Sequence, residues 1–240
     1  MNTSIARALS IATLCAAAGA CDRPGTGPSN EQSSKASPVE PGLENAATPA
    51  PEGKALAAAS LGAAAPDFAL TDLQGKSVRL ADFKGKTVVL EWFNPECPFV
   101  KLSHTKGSLK GLAEKHAGDA SLVWLAINSG APGKQGHGVE VNAQAVETFA
   151  LKHPVLLDPE GRVGKAYGAT NTPHMYIIDA KGTLVYSGAI DNSPDAEGQS
   201  PSGGTLVNYV SQALDELQQG KAVSVPKTKA YGCSVKYGES

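Results

Sequence analysis

The run Thr87-Val88-Val89-Leu90-Glu91-Trp92-Phe93-Asn94-Pro95-Glu96-Cys97-Pro98-Phe99-Val100 decides the fold. Its first seven residues are almost all apolar and follow the turn pair Gly85-Lys86, which reads as a central strand covered on both faces. Pro98 suits the first turn of a helix, where its missing N–H costs nothing. Leu102, Leu109, Leu112 and Ala113 then return at helical spacing, so a helix is expected from Phe99 to about His116. Cys97 therefore falls between the carboxyl end of a strand and the amino end of a helix. Open α/β sheets carry their sites in that crevice, and the helix dipole with its free N–H groups favours an anion there. A thiolate is stabilised in such a place, which makes Cys97 a candidate nucleophile; the alternative is a buried, inert cysteine.

Working outward, strands are expected at Pro66–Leu70, Ser77–Leu80, Ser121–Ile127 and Val155–Leu157, with a hairpin of Met175–Ile178 and Leu184–Tyr186 around Ala180-Lys181-Gly182. Helices are expected from an Asn142 cap to about Lys152, over Gly161–Tyr167, and over Thr205–Gln218. Ser129–Gly138 reads as a glycine-rich loop, and the piece after Pro226 as a tail wrapping over the domain, anchored by Tyr231 and Tyr237. Strands alternating with helices give an α/β sandwich. The Gly136-His137-Gly138 stretch lacks a following Lys-Ser/Thr and is not a phosphate-binding loop.

The 240 residues are 41% hydrophobic and 18% charged, with a formal net charge of −2. Four cysteines are too few for a disulfide scaffold, and near-neutrality argues against nucleic acid as a partner. All 13 aromatic residues lie at or after Phe68, so the first quarter is not a folded domain. Residues 1–20, with one Arg before an Ala-rich apolar stretch ending Ala18-Gly19-Ala20, read as a secretory signal. With Cys21 next, the junction resembles a bacterial lipobox, although Ala18 stands where Leu is usual; ordinary cleavage leaving a free Cys21 is the alternative. Cys15 lies inside the removed segment. In residues 22–60, 23 of the 39 are Pro, Gly, Ser or Ala, the composition of a tether. Lys54–Ser60 has the composition for a helical turn or two. Three regions follow: a signal at 1–20, a tether at 21–60 and a domain at 61–240 whose tail is 220–240. The location expected is the periplasm or cell envelope, with a membrane tether through a lipid on Cys21.

The strand, the Cys97-Pro98 at a helix start and the distant Thr172-Pro173 before a hairpin resemble the thioredoxin superfamily, in its redoxin and thioredoxin-like lipoprotein branch, close to the alkyl hydroperoxide reductase/thiol-specific antioxidant group. The segment Leu156–Gly188 carries the resemblance most strongly. It implies a thioredoxin fold, here with an N-terminal β-hairpin extension, and thiol–disulfide exchange with protein or small-molecule thiols and disulfides, supported by an external reductant and no cofactor or metal. It makes Cys97 the attacking cysteine and Pro173 a cis-proline facing it, with the Thr172 backbone holding an extended substrate. Pro98, Trp92 and Phe99 are the further candidate substrate contacts. Glu91, six residues before Cys97, matches the buried acid of thioredoxins; a carboxylate inside an apolar strand is expected to bind its proton more tightly and to relay one to the thiol, the alternative being an edge-facing Glu in a salt bridge.

The pattern departs from the family at one place. The usual second cysteine is replaced by Val100, so Cys97 works with an outside thiol or with another cysteine of the chain. Cys233, in Tyr231-Gly232-Cys233-Ser234, is the candidate resolving thiol. A pair that opens and closes, a static staple and an unpaired tail thiol all remain open. A peroxiredoxin-like peroxidase is the rival, but Asn94 and Leu90 stand where it needs Thr or Ser and Pro, and the nearest Arg162 lies on a helix. A copper- or partner-binding module is the third reading, through Cys97 with His104 or His174. His116, His137 and His153 read as solvated surface residues.

Overall fold

The computed structural model describes residues 56–116 and 118–239. The expected signal, Cys15, Cys21 and all but the last five residues of the tether lie outside the described residues. Over Leu56–Ser60 the chain is not helical; Ala59 instead donates its N–H to Ala166 O at 2.8 Å.

Seven strands form one sheet in the order β2-β1-β5-β4-β3-β7-β8. They are β1 (Ala69–Asp72), β2 (Ser77–Arg79), β3 (Thr87–Trp92), β4 (Leu122–Asn128), β5 (Val155–Leu157), β7 (His174–Ile178) and β8 (Leu184–Gly188). β3 is an interior strand beside the middle strand β4, parallel to β4 and antiparallel to β7. β1 and β2 pair antiparallel, and β1 also pairs with β5, so both belong to the main sheet. A separate two-stranded ladder joins β6 (Asn171–Thr172) to β9 (Cys233–Ser234).

Alternation along β3 sends side chains to both faces. Val88, Leu90 and Trp92 pack with Val163 and Tyr167 of α4 (Arg162–Tyr167). Val89 packs on the other face with Val210, Ala213 and Leu214 of α5 (Tyr209–Gln218), whose i, i+3, i+4 stripe is its core face. Asn208 caps α5 by accepting from Ser211 N at 2.9 Å, so the helix starts at Tyr209, four residues later than the expected Thr205.

Two expected helices differ. The Phe99–His116 helix is two pieces, α1 (Pro98–Thr105) and α2 (Leu112–Lys115). Between them Gly107 lies so close to the Ala196 carbonyl that a side chain there would collide, and Gly111 takes φ +70°. The next helix, α3 (Val139–Thr148), begins before Asn142, which lies inside it rather than at its cap. The wholly buried Asn142 amide instead donates to Gly136 O and Gly138 O and accepts from Asn128 Nδ2, tying the glycine-rich loop to the end of β4. His116 and His153 are not solvated: His116 is buried with Nε2 unpartnered, and both ring nitrogens of His153 are enclosed without a partner. His137 is exposed.

Candidate active site

β3 ends in a tight turn that delivers Cys97 to the start of α1. Cys97 N–H donates to Asn94 O at 3.1 Å, and the Asn94 side chain accepts from Glu96 N at 3.0 Å. Pro98 occupies the first helical position and Cys97 is the N-cap residue. The Cys97 thiol makes no capping bond. It donates to the Thr172 carbonyl, Sγ to O 3.0 Å, and exposes none of its surface. The Thr172–Pro173 bond is cis. Phe93, Val100, Ala126, Ala145 and Val155 surround Cys97, with Phe99 and Cys233 packed against the same cluster.

The tail reaches this point because several contacts fix its path. Thr228 Oγ1 accepts from Ala189 N at 2.8 Å, and Tyr231 OH donates to Asp191 Oδ1 at 2.8 Å. β9 then pairs antiparallel with β6, Asn171 opposite Ser234 and Thr172 opposite Cys233. Gly232 has φ +104°, and any side chain there would run into the Thr172 carbonyl. Beyond β9, Lys236 O accepts from Ala131 N at 2.9 Å, and Tyr237 OH donates to Ala169 O at 2.8 Å with its ring seated on Gly161 and Gly164. Tyr231 and Tyr237 are thus the two anchors on either side of Cys233.

Both cysteines are free thiols, Cys97 buried and Cys233 partly exposed. Burial first, then hydrogen bonding and charge from Cys97, push the Cys233 thiol up to about 11; Lys236 acts weakly in the opposite sense. One proton is therefore held firmly on the tail sulfur while Cys97 is beside it.

Glu91 is wholly buried on the face of β3 that α1 covers. His104 Nε2 lies 2.8 Å from Glu91 Oε1, and Trp124 Nε1 donates to Oε2 at 3.4 Å. The expected upward shift is reversed. Burial alone raises the carboxyl, but charge and hydrogen bonding from His104, with help from His153 and Trp124, outweigh it and hold the group below the ordinary range. No hydrogen bond links Glu91 to Cys97 among the described residues.

Three other expected roles shift. Trp92 points to the opposite face of the sheet, wholly buried against Tyr167 and Tyr176 with Nε1 on Ser129 Oγ at 3.0 Å, so it does not line the cysteine. His174 also faces that side, stacked on Tyr176 at 4.5 Å, with burial pushing it down to about 4. Its neighbour in the copper reading, His104, is bound to Glu91, and no cluster of three His, Cys, Asp or Glu residues suited to a metal occurs among the described residues. Arg162 pairs on the surface with Glu160 at 2.9 Å. Phe99 does lie at the site, 6.2 Å from the Tyr231 ring. In the sequence Gly232, with Pro226, is a sign of a wrapping tail, and the structure shows that it also sets the close approach to Thr172. The sequence reading missed Asp191, which holds Tyr231.

A parallel-centred sheet with helices on both faces, a Cys-Pro helix start and a cis-proline carbonyl at the sulfur define a protein of the thioredoxin superfamily. The chain belongs to the Redoxin family, whose match spans residues 60–201, and it is an oxidoreductase. Among curated relatives it is similar to the thiol-disulfide oxidoreductase ResA of Bacillus thuringiensis subsp. konkukian, 33% identical over 132 residues, 52% of this chain and 67% of that one. Among solved structures it is similar to a hypothetical protein from Sinorhizobium meliloti 1021, with TM-score 0.65, 29% identity and 77% and 98% of the two chains covered. An uncharacterized conserved protein from Geobacillus kaustophilus gives TM-score 0.64, 32% identity and 77% and 96%.

Proposed function

We propose that the protein is a thiol-disulfide oxidoreductase of the cell envelope in which Cys97 and Cys233 alternate between two thiols and one disulfide. The observation that carries this reading is the pairing of Cys233 with Thr172, whose carbonyl holds the Cys97 thiol. In the reduced protein Cys97 attacks a partner disulfide and releases one partner thiol. Cys233 then attacks Cys97 in the mixed disulfide and releases the second. Two electrons pass from the protein dithiol to the partner, and the protein keeps a Cys97–Cys233 disulfide. An external thiol reductant returns it to the start. The family's second cysteine is thus supplied from the tail, since Val100 has no thiol to give.

In this reading Thr172 and Pro173 present the backbone edge beside the sulfur, Pro98 and Phe99 border it, and Glu91 is a positioning residue that fixes α1 to β3 through His104. The envelope location rests on the signal-like residues 1–20, the tether composition and the lipobox-like Cys21. An oxidising compartment suits a reversible pair. The peroxidase reading loses ground because, among the described residues, no arginine hydrogen-bonds to either cysteine and Arg162 is paired with Glu160.

The test is peptide mapping of the full-length protein after mild oxidation, without reductant. Trypsin places Cys97 on Thr87–Lys101 and Cys233 on Ala230–Lys236. The expected product is these two peptides joined and separated again by dithiothreitol. Two separately alkylated peptides after oxidation overturn the pair.

A further inference from the structure

Resting on that reading, we infer that Cys233 is the sulfur at which the external reductant attacks the oxidised protein, with Cys97 as the leaving group. The two half-reactions then use different sulfurs. The inference comes from what each sulfur offers to an incoming nucleophile.

Attack on a disulfide proceeds along the S–S axis, from the side opposite the sulfur that leaves. Cys97 belongs to one buried cluster with Phe93, Val100, Ala126 and Ala145 and has no exposed surface, while Cys233 is packed at the partly buried margin of that cluster. A thiol arriving there would have to come from inside the core. Cys233 lies on the tail side of Cys97 and is partly exposed, so its approach is from solvent. Access to the attacked sulfur is one of the determinants of exchange rate.

The tail also bars the usual docking edge. β9 occupies the β6 backbone at Asn171 and Thr172, and the ladder is extended by Asn171 Nδ2 donating to Gly232 O at 3.0 Å and Val235 N donating to Thr170 O at 3.1 Å. In the reduced protein a two-residue ladder can lift and uncover Cys97 for a substrate disulfide. In the oxidised protein the disulfide pins it shut. The reductant then meets Cys233 without any extended strand beside Thr172, which selects a small or projecting thiol.

The chemistry balances. A thiolate R–S⁻ attacks Cys233 Sγ, forms R–S–S–Cys233 and expels Cys97 as a thiolate at the α1 N-terminus, where the helix dipole favours an anion. A second thiolate attacks the R sulfur, giving R–S–S–R and the Cys233 thiolate. Two protons from the two thiols end on Cys97 and Cys233.

Glutathione is the probe. The full-length oxidised protein is first checked for the joined tryptic peptides, then mixed with glutathione, acid-quenched over a time series and alkylated. The expected result, extrapolated to zero time, is glutathione on the Ala230–Lys236 peptide and alkylated Cys97, in at least about tenfold excess over the reverse. Glutathione on the Thr87–Lys101 peptide with alkylated Cys233 overturns this inference and leaves the pair standing. Absence of the joined peptides before glutathione is added overturns the pair, and this inference with it.

Discussion

Thr172 and Cys233 face each other as partners across a two-residue antiparallel ladder, while the Thr172 carbonyl accepts the Cys97 thiol at 3.0 Å. One peptide unit thus organises both sulfurs, and Gly232 is the residue that lets the tail come this close. Gly232→Ala adds a Cβ at φ +104° and against that carbonyl. The expected outcome is a lifted tail: Cys97 alkylation in the reduced protein accelerates by about tenfold, equal to about 1.4 kcal/mol of tail docking. The domain keeps its main urea transition. Unchanged Cys97 alkylation would show that the tail does not guard the sulfur.

The Cys233 thiol, pushed up to about 11, gives a titration prediction. Alkylation of Cys233 followed against pH should bend near 11 rather than near the ordinary thiol value. In Cys97→Ala the bend should move down, because two of the three causes that raise it vanish, leaving burial opposed by Lys236 and a backbone hydrogen bond. The folded state holds this proton more tightly than the unfolded chain, so tail docking is fully supported below the unfolded value near 9 and weakens as pH rises toward 11.

The inner strands were legible in the sequence because they are buried on both faces and so appear as near-continuous apolar runs, Val155–Leu157 to the residue. The long Phe99–His116 helix was misread because its apolar spacing continues across Gly107 and Gly111, and the break comes from a tertiary contact with Ala196. Asn142 looked like a cap because Asn is a good one; its amide is instead engaged by the loop carbonyls. At the site, Cys97, Pro173 and Cys233 could be named from local pattern. The facing of Trp92 and His174 could not, since it depends on which side of the pleat each falls. The Glu91–His104 bond joins residues 13 apart on a strand and a helix, and a period within one element does not reveal it.

That bond predicts a large cost for removing the acid. Glu91→Ala leaves His104 and Trp124 Nε1 buried without their acceptor and is expected to destabilise the domain by about 3–5 kcal/mol. Glu91→Gln, which keeps an acceptor oxygen, should cost less. Urea unfolding at pH 7 measures both. If Glu91→Gln is near native in stability and also keeps its rate of Cys97–Cys233 disulfide formation, Glu91 positions α1 and moves no proton. A rate that falls while stability holds would restore the relay.

Two histidines set the acid response. Burial pushes His153 and His174 down to about 4, and His153 has no partner on either ring nitrogen. Between pH 6.5 and 4 the unfolded chain binds their protons and the folded one does not. Stability contributed by keeping them neutral is therefore present above 6.5 and falls as the pH drops toward 4, by up to about 3 kcal/mol for each. Glu91, held below its ordinary range, adds a loss only at still lower pH. His153→Leu removes one titrating group and two unpartnered nitrogens. Its urea stability at pH 7 should equal or exceed that of the native protein, and its slope between pH 6 and 5 should be shallower by up to about 1.4 kcal/mol per pH unit. An unchanged slope would mean that His153 takes up its proton in the folded state at the ordinary pH.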